Sequence, residues 1–459
     1  MGERVMYRER KGPSGQPLAH LYLPSIATFR SVDLSDGKGG AEGMRARVAG
    51  WAREVFLPQG YPESVSPDYL HYQFWDSMQA YCSSIAGALS LQATLVGLGV
   101  GEGTATPLAA TLSWLLKDGS GMVASIFFAY WKGTQLDCNL KQWRLFADVT
   151  NDLNSMVRLV GPALPVPFLA VLCLSGVLGA LVGVAGGSTR AALAVHQARC
   201  DNMADVSAKD GSQETLVNLA ALFTNLTLLP FFTATLSTTW VTFLICVWLH
   251  LLANYKAMRA LTLASLNRPR LLHLLSSWAA PDAPPVTSLP SPAEANLAEP
   301  LLFGPAFIAD YFPHGFRVSM GCSLHWALEQ CGGDPGELFR LATGAFRGQK
   351  YMLCGNLQRR QLHIVYRSGI TTQEELKAVV TAFLCVLNYC HVTQGTPLPE
   401  RLIAPGITTT TTTSDYELIT CVRKVVVREF PPLLKSMEEL GWKVDKLHFG
   451  ADEWRLMDD

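Results

Sequence analysis

The sequence predicts a mainly α-helical protein, in which a helical multi-pass membrane domain is followed by a smaller soluble α+β domain. Only 16% of its 459 residues are charged, against about 25% in an ordinary soluble protein. The missing charge is concentrated between Asp76 and Tyr255, in apolar runs long enough for membrane helices. The last third of the chain returns to a mixed composition with strand-like and helix-like patterns.

This change in composition predicts four segments. Residues 1–50 carry no recognisable pattern and are expected to be variable and partly disordered. Residues 51–275 form the helical membrane domain, and residues 276–300 form a Pro-rich linker that is expected to be extended. Residues 301–459 form the soluble α+β domain.

The membrane domain is predicted to open with a helix after Ser66-Pro67-Asp68, because these residues favour a helix start. Small apolar residues follow over Ser83–Val100. The next two apolar stretches, Ala105–Leu116 and Ser120–Trp131, are each too short to span a membrane alone. We expect them to be re-entrant, interfacial or a packed helical pair.

Two long charge-free runs predict three membrane spans. Leu159–Thr189 contains 31 residues without a charge, and Thr215–Tyr255 contains 41, whereas about 20 helical residues cross a hydrocarbon core. We expect one span in the first run and two in the second, which turn near Ser237–Thr239, with Pro230 kinking the first of that pair. A large soluble protein with unusually buried helices is the alternative.

Basic residues predict the orientation of the last span. They follow Thr238–Tyr255 directly, at Lys256, Arg259, Arg268 and Arg270. Under the positive-inside rule this end of the span is cytosolic, and so is the C-terminal domain. We therefore expect an integral membrane protein, and the N-terminal residues lack the apolar core of a cleavable secretory signal.

Two polar segments interrupt the apolar runs and carry the candidate site. Each contains two aspartates four residues apart, which is one turn of a helix. The candidate polar or cation site consists of Asp148, Asn151, Asp152, His196, Asp201, Asn202 and Asp205.

Three interpretations of these residues are open. They can be ion pairs and helix caps on the wet face of a bundle. The two acidic pairs can instead hold Mg²⁺ against a diphosphate, as in membrane prenyltransferases, because carboxylate oxygens suit that ion. In the third interpretation they line a polar path for a solute, in which His196 carries a proton.

The C-terminal third predicts a small sheet covered by helices. Strands are expected at Arg317–Gly321, Lys350–Leu357, Gln361–Tyr366 and Trp442–Phe449, and helices at Gly336–Arg347 and Thr372–Tyr389. A long helix over Asp415–Leu440 is expected to break at Pro431-Pro432. The six threonines of Thr408–Thr413 are expected to form a loop.

No constellation of residues in the sequence indicates catalysis. The 11 cysteines are scattered without a CxxC motif, which is typical of reduced, buried thiols. No nucleophile–base pair, nucleotide-binding loop or metal-ligand spacing is found. We therefore expect no catalytic residue, no metal, no cofactor and no enzymatic activity.

Four ordered motifs resemble those of the root-UVB-sensitive family. They are FLPQGYPESVSPDYLHYQFWDSMQAYCSSIAGAL (Phe56–Leu89), WLLKDGSGM (Trp114–Met122), LDCNLKQWRLFADVTNDL (Leu136–Leu153) and STRAALAVHQARCDNMADVSAKDGSQET (Ser188–Thr215). The resemblance implies an integral membrane protein without an established activity, whose plant relatives are associated with early UV-B responses, vitamin B6 homeostasis and auxin transport. It implies no catalytic or binding residue.

We accordingly expect small-solute transport or membrane scaffolding. The expected partners are the lipid membrane and either a second copy of the chain or another member of the family. A net charge of −1 argues against nucleic acid as a partner. The alternative is a Mg²⁺-dependent membrane-embedded transferase that uses the paired aspartates.

Overall fold

The computed structural model describes residues 4–10, 17–23, 28–33, 41–100, 106–281, 289–301, 311–331, 340, 344–406 and 414–457. The chain divides into two compact units. The first comprises Met1–Trp131 and Trp143–Leu261, and the second comprises Lys132–Gln142 and Thr262–Asp459. The predicted class, mainly α with strands in a smaller C-terminal part, is confirmed.

The first unit consists of a small antiparallel sheet and a set of long helices. Three strands pair in the order β1-β2-β3, in a segment for which the sequence predicts partial disorder. The elements are β1 (Arg4–Arg10), β2 (Pro17–Leu23), β3 (Thr28–Asp33), α1 (Ala41–Phe56), α2 (Tyr69–Gly97), α3 (Pro107–Lys132), α4 (Leu140–Val160), α5 (Phe168–Gln197), α6 (Met203–Phe232) and α7 (Leu236–Ala260).

The charge-free runs form helices as predicted. The run that begins at Leu159 gives α5, and the longer run gives α6 and α7. The turn between the last two lies at residues 233–235, slightly before the predicted position, because Thr235 and Thr238 cap the start of α7 reciprocally. Pro230 lies inside α6 without ending it.

The prediction of two separate short segments at Ala105–Leu116 and Ser120–Trp131 is wrong. Residues 107–116 of the first segment and the whole of the second belong to α3, which runs without a break for 26 residues. The charged pair between them does not end the helix, because Lys117 Nζ bonds Asp118 Oδ1 at 3.2 Å at the surface. Lys117 also lies over the Trp114 ring, 4.9 Å from its centroid.

The second unit contains short strands and a buried helix. Its elements are β4 (Ser265–Asn267), α8 (Arg268–Trp278), α9 (Pro292–Ala298), β5 (Tyr311–Phe312), β6 (Phe316–Met320), α10 (Leu324–Cys331), β7 (Tyr351–Asn356), β8 (Gln361–Arg367), α11 (Thr372–Gln394), α12 (Asp415–Glu439), β9 (Lys443–His448) and β10 (Arg455–Leu456). In the main sheet β8 pairs antiparallel with β7 and parallel with β6 and β10. The strands β4 and β9 form a separate parallel pair.

Packing around α11 forms the core of the second unit. This helix begins with a capping box, in which Thr371 and Glu374 satisfy each other's backbone N–H groups. Its apolar side chains are almost all fully buried against the sheet and α12, as for Phe383 and Leu384 at 0% exposure. The predicted strands at Arg317, Lys350, Gln361 and Trp442 are confirmed within one residue or two.

Two predictions for this unit differ from the structure. The helix α12 continues through Pro431 and Pro432, because the carbonyls that lose their N–H partners belong to Val427 and Arg428, which are exposed to solvent. The segment 276–300 is not extended throughout, since α9 begins inside it with a Ser291–Glu294 capping box. The predicted loop at Thr408–Thr413, and most of the helix predicted at Gly336–Arg347, lie outside the described residues.

Among the described residues, four helices are long and apolar enough to cross a membrane: α5, α6, α7 and α11. The first three have mean hydropathies of 2.5, 1.6 and 1.7 in their most apolar stretches, of which only 28%, 6% and 22% is buried. The most apolar stretch of α11 is 67% buried within its own unit. The exposed apolar helices of the first unit therefore indicate membrane association.

Candidate functional site

The polar side chains of α4 lie at the centre of the first unit. Hydrogen bonds join this helix to α2, α5 and α7, and most of its residues are buried. Its neighbours are apolar on the side that faces away from α4. The helix thus turns a polar face toward its neighbours and leaves apolar side chains such as Val149 and Leu153 exposed.

An ion pair between α2 and α4 opens the network. Arg144 Nη2 donates to Asp76 Oδ1 at 3.1 Å, and the Tyr72 hydroxyl donates to the same oxygen at 3.1 Å. Arg144 Nε also lies 3.6 Å from Asp148 Oδ2, one helical turn further along α4. One guanidinium therefore faces two largely buried carboxylates.

Two polar side chains of α7 complete the network. Asn254 donates its amide N–H to Asp148, and His250 Nδ1 lies 2.8 Å from Asp152 Oδ2, within hydrogen-bond distance. All four residues are at least nine-tenths buried. His250 and Asn254 are one turn apart on α7, and their partners are one turn apart on α4, so the two helices meet in a regular register.

Polar contacts continue along α4 beyond the charged groups. Asn151 Nδ2 donates to Ser83 Oγ of α2 at 3.0 Å, and Ser175 Oγ of α5 donates to Asn154 Oδ1 at 2.7 Å. Small residues allow α5 to approach its neighbours. A Cβ atom added to Gly176 would come within 2.2 Å of the Lys117 carbonyl oxygen on α3.

The charges of the network do not balance. Asp76, Asp148 and Asp152 bring three carboxylates, whereas Arg144 brings one permanent positive charge and His250 brings a second only when it is protonated. Buried carboxylates whose charge is not fully compensated are costly, so a network of this kind favours uptake of a proton or a cation. The oxygen of the Asn254 side chain is also buried without a hydrogen-bond partner.

The structure brings together three of the seven candidate site residues. Asp148, Asn151 and Asp152 belong to the α4 network. The other four lie elsewhere, near the start of α6: His196, Asp201, Asn202 and Asp205.

These four residues have local contacts of their own. His196 Nε2 lies 3.0 Å from Asp68 Oδ2, and Asp205 Oδ2 accepts from the Gln59 backbone N–H at 2.6 Å. Asn202 Oδ1 accepts from the Cys200 backbone N–H at 3.2 Å. The expectation that Asp201 shares a helix with Asp205 is wrong, because Asp201 is exposed in the turn before α6 with φ of 52°.

The two acidic pairs therefore do not form one site. Asp148 and Asp152 bond side chains of α7, whereas Asp205 bonds the loop before α2. Within the part of the chain that the structure describes, no three His, Cys, Asp or Glu side chains are grouped so as to hold a metal ion.

Sequence reasoning missed the partners of α4. His250 and Asn254 lie in a charge-free run and carry no motif, and Asp76 marks only the end of a run. The available signal is their spacing: two polar residues one turn apart inside a long apolar span predict a polar face directed into the bundle.

Two family models match the chain. The first, described as the vitamin B6 photo-protection and homoeostasis domain, matches residues 43–282. The second, described as the C-terminal region of root UVB sensitive proteins, matches residues 288–458. The boundary between the two models falls within the predicted Pro-rich linker.

Individual relatives come from an amoeba and a plant. The chain is 45% identical to RUS family member 1 of Dictyostelium discoideum over 54% of its own length and 47% of the relative. It is 42% identical to the Arabidopsis thaliana protein root UVB sensitive 3 over 50% of the chain and 52% of the relative. These two matches span about half the length of each relative. No solved structure matches the chain.

Proposed function

Because the chain belongs to the root-UVB-sensitive family, whose main domain is described by vitamin B6 photo-protection and homoeostasis, we propose that it is an integral membrane protein that moves a small solute. The activity belongs to the helical first unit and involves no enzymatic step. The observation that carries the proposal is the charged network of α2, α4 and α7, enclosed by helices with apolar outer faces.

The distribution of polarity supports a membrane setting. Large apolar side chains are exposed on α6 and α7, such as Leu226 at 68%, Phe231 at 70% and Trp248 at 63%. In water these faces would be costly, whereas lipid solvates them at no cost. Lipid is therefore the proposed partner of these faces.

The buried network supports solute movement in preference to scaffolding. Ionisable groups inside membrane bundles are costly and face pathways for ions, protons or solutes. A scaffold does not require a buried carboxylate on one helix beside an imidazole on an apolar neighbouring helix. The pair Asp152–His250, 2.8 Å apart, is the proposed point of proton exchange, since histidine changes charge near neutral pH.

Orientation follows from the basic residues after α7. Lys256 and Arg259 lie in its last turns, and Arg268 and Arg270 follow. The positive-inside rule assigns this end to the cytosol, and the second unit with it. The rival proposal of a Mg²⁺-dependent transferase receives no support, because its two acidic pairs bond different parts of the first unit.

Reconstitution of the full chain into liposomes tests the proposal. Uptake of labelled pyridoxine and of pyridoxine 5′-phosphate is measured with and without a pH gradient. We expect uptake of one or both above empty liposomes, with a dependence on the gradient that Asp152→Asn and His250→Gln abolish. Asp201→Asn, which changes an exposed aspartate outside the network, is the matched control and should transport as the wild type.

Two results would contradict the proposal. Uptake equal to that of empty liposomes for both vitamers, under either condition, would refute transport of this class of solute. Uptake that responds to the gradient equally in the wild type and in both network variants would refute proton exchange at Asp152 and His250.

A further inference from the structure

Arg158 lies in the last turn of α4 and has no hydrogen-bond or ion-pair partner among the described residues. Its Nε atom is buried without a hydrogen bond. Among the described residues Arg158 makes no ion pair. Arg144 on the same helix, by contrast, is paired with Asp76.

The side chain belongs to the inner polar face of α4. Arg158 is four residues after Asn154 and seven after Asn151, so the three residues share one helix face. Asn151 bonds α2 and Asn154 bonds α5. Arg158 therefore continues the stripe of side chains that the neighbouring helices enclose.

The register between α2 and α4 indicates which residue of α2 lies at the level of Arg158. Asp76 pairs with Arg144, and Ser83 pairs with Asn151, at the same sequence separation of 68 residues. The next step of seven residues along both helices brings Ser90 to the level of Arg158. Ser90 is fully buried, and its hydroxyl already donates to the Ala86 carbonyl, so no acidic group stands at this level of α2.

A partly buried guanidinium without a counter-ion is an incomplete ion pair. Removing it from water is unfavourable unless an anion compensates its charge. Its planar group of N–H donors matches the oxygens of phosphate and carboxylate groups in a bidentate geometry. Because no carboxylate of the described residues compensates this charge, the guanidinium is open to an oxyanion from outside the chain.

We propose that Arg158 binds the phosphate group of a ligand that enters the polar interior of the first unit. The inference rests on the proposed function, which it deepens by assigning the solute a negatively charged group. The acidic network near Asp148 and the basic Arg158 are then two ends of one polar stripe along α4, one that exchanges protons and one that recognises an anion.

A phospholipid is the second source of the same chemistry. An open apolar groove of about 340 Å³ lies at this end of α4 and the start of α5, lined by Met156, Val157, Val160, Leu164, Val166, Ala170, Val171 and Leu174. An acyl chain fits such a groove, and the lipid phosphate would then reach the end of the helix. The experiment has to separate a soluble phosphate ester from a lipid headgroup.

Binding to the full chain in nanodiscs separates the two. Nanodiscs of zwitterionic phosphatidylcholine are titrated with pyridoxine 5′-phosphate, with pyridoxine, which lacks only the phosphate, and with inorganic phosphate as a competitor. We expect the phosphate ester to bind and pyridoxine to bind much more weakly. Arg158→Gln should weaken binding of the ester by about 10- to 100-fold, and Arg158→Lys should restore part of it.

The matched control is Arg259→Gln. Arg259 also lies near a helix end, but it donates to the Tyr255 hydroxyl at 3.1 Å, so its loss should leave ester binding unchanged. If Arg158→Gln leaves binding of both the ester and phosphatidic acid equal to that of the wild type, the proposal is overturned.

A parallel titration with phosphatidic acid in the nanodiscs tests the lipid. If Arg158→Gln weakens binding of phosphatidic acid only, the phosphate site stands but its ligand is a lipid, and the assignment to the solute is refuted. The phosphate-site proposal and the transport proposal can be refuted separately. Ester binding that needs Arg158, without uptake into liposomes, would refute the transport proposal and leave the phosphate site intact.

Discussion

The two units of this protein differ in how much of their apolar helices they bury. The most apolar stretches of α11 and α6 have mean hydropathies of 1.5 and 1.6, so hydropathy hardly distinguishes them. Yet 67% of the apolar stretch of α11 is buried, against 6% for α6. The second unit buries its apolar helix, whereas the first exposes many large apolar side chains and buries charged ones such as Asp148 and Asp152.

This difference teaches that hydropathy alone does not identify a membrane helix. What matters is what surrounds the apolar face: the sheet and α12 cover α11, whereas in the described part of the first unit large apolar side chains of α6 and α7 stay exposed. An outer surface of this kind, combined with a charged interior, is the arrangement expected in lipid.

We expect the largest change in the free energy of unfolding when one leucine from each unit is replaced by alanine and the two losses are compared. Leu384→Ala on α11 leaves a cavity in a fully packed core and should lower the free energy of unfolding by about 4 kcal/mol. Leu226→Ala on α6, where the side chain is 68% exposed, should change it by less than about 1 kcal/mol, because the lost contacts are with lipid. Thermal unfolding of both variants in the same detergent measures the difference. Equal losses of stability would contradict the exposure of apolar side chains on the surface of the first unit.

The next effect tests the charged interior. Arg144→Gln leaves Asp76 and Asp148 without their shared cation and should cost about 3 kcal/mol. Arg158→Gln on the same helix removes a cation that has no ion pair, so stability should change little or rise slightly. Chemical unfolding in detergent compares the two, and an equal loss in both variants would mean that Arg144 contributes packing and not charge compensation.

A buried histidine gives the second unit a sensitivity to acid. His363 on β8 is 3% exposed, and neither ring nitrogen has a hydrogen-bond partner. Burial, with a smaller contribution from Arg317, lowers the pKa of His363 to about 4 from 6.5. The folded unit thus favours the neutral ring, and its stability is fully present above pH 6.5 and is lost as the pH falls toward 4.

Between pH 7 and pH 5 this loss should amount to about 2 kcal/mol. Hydrogen exchange of the β7–β8 peptides in the full chain reports it locally, with faster exchange expected at pH 5 after correction for the intrinsic rate. His363→Phe should remove this acid sensitivity. Identical protection of these strands at both pH values in the wild type would show that His363 does not titrate as expected.

The smallest effect concerns helix contacts within the first unit. In Gly176→Ala the new methyl would meet the Lys117 carbonyl oxygen at 2.2 Å, so α3 and α5 must separate, at a cost of about 1 kcal/mol. Gly183→Ala on the same helix has open space around its Cβ and should be neutral or slightly stabilising. Thermal unfolding of the pair checks the contact, and the reverse order of stabilities would contradict it.

Much of this fold was predictable from residue patterns. Charge-free runs predicted α5, α6 and α7, since most residues of those helices are apolar, and strand-like segments predicted the strands at Arg317, Lys350 and Gln361. The errors have local causes. The Lys117–Asp118 pair interrupts hydropathy without ending α3, because the two charges neutralise each other at the surface.

The candidate site was only half predictable. Asp148 and Asp152 stand out because they are charges one turn apart, but their partners His250 and Asn254 are uncharged in the sequence and lie about 100 residues away. Such contacts depend on how α4 and α7 meet, which no local pattern encodes. The prediction that Asp201 and Asp205 lie one helical turn apart was wrong, because Asp201 lies in a turn before α6.

The most direct test of the proposed lipid contact of the first unit identifies what surrounds α6 in a membrane. The photoreactive amino acid p-benzoylphenylalanine is placed at position 226 on α6, or at position 427 on α12, where the native side chains are 68% and 54% exposed. After irradiation of membranes that contain the full chain, mass spectrometry identifies the adducts. We predict phospholipid adducts at position 226 and none at position 427. Absence of lipid adducts at position 226, with only water-quenched or protein-linked product, would contradict the account.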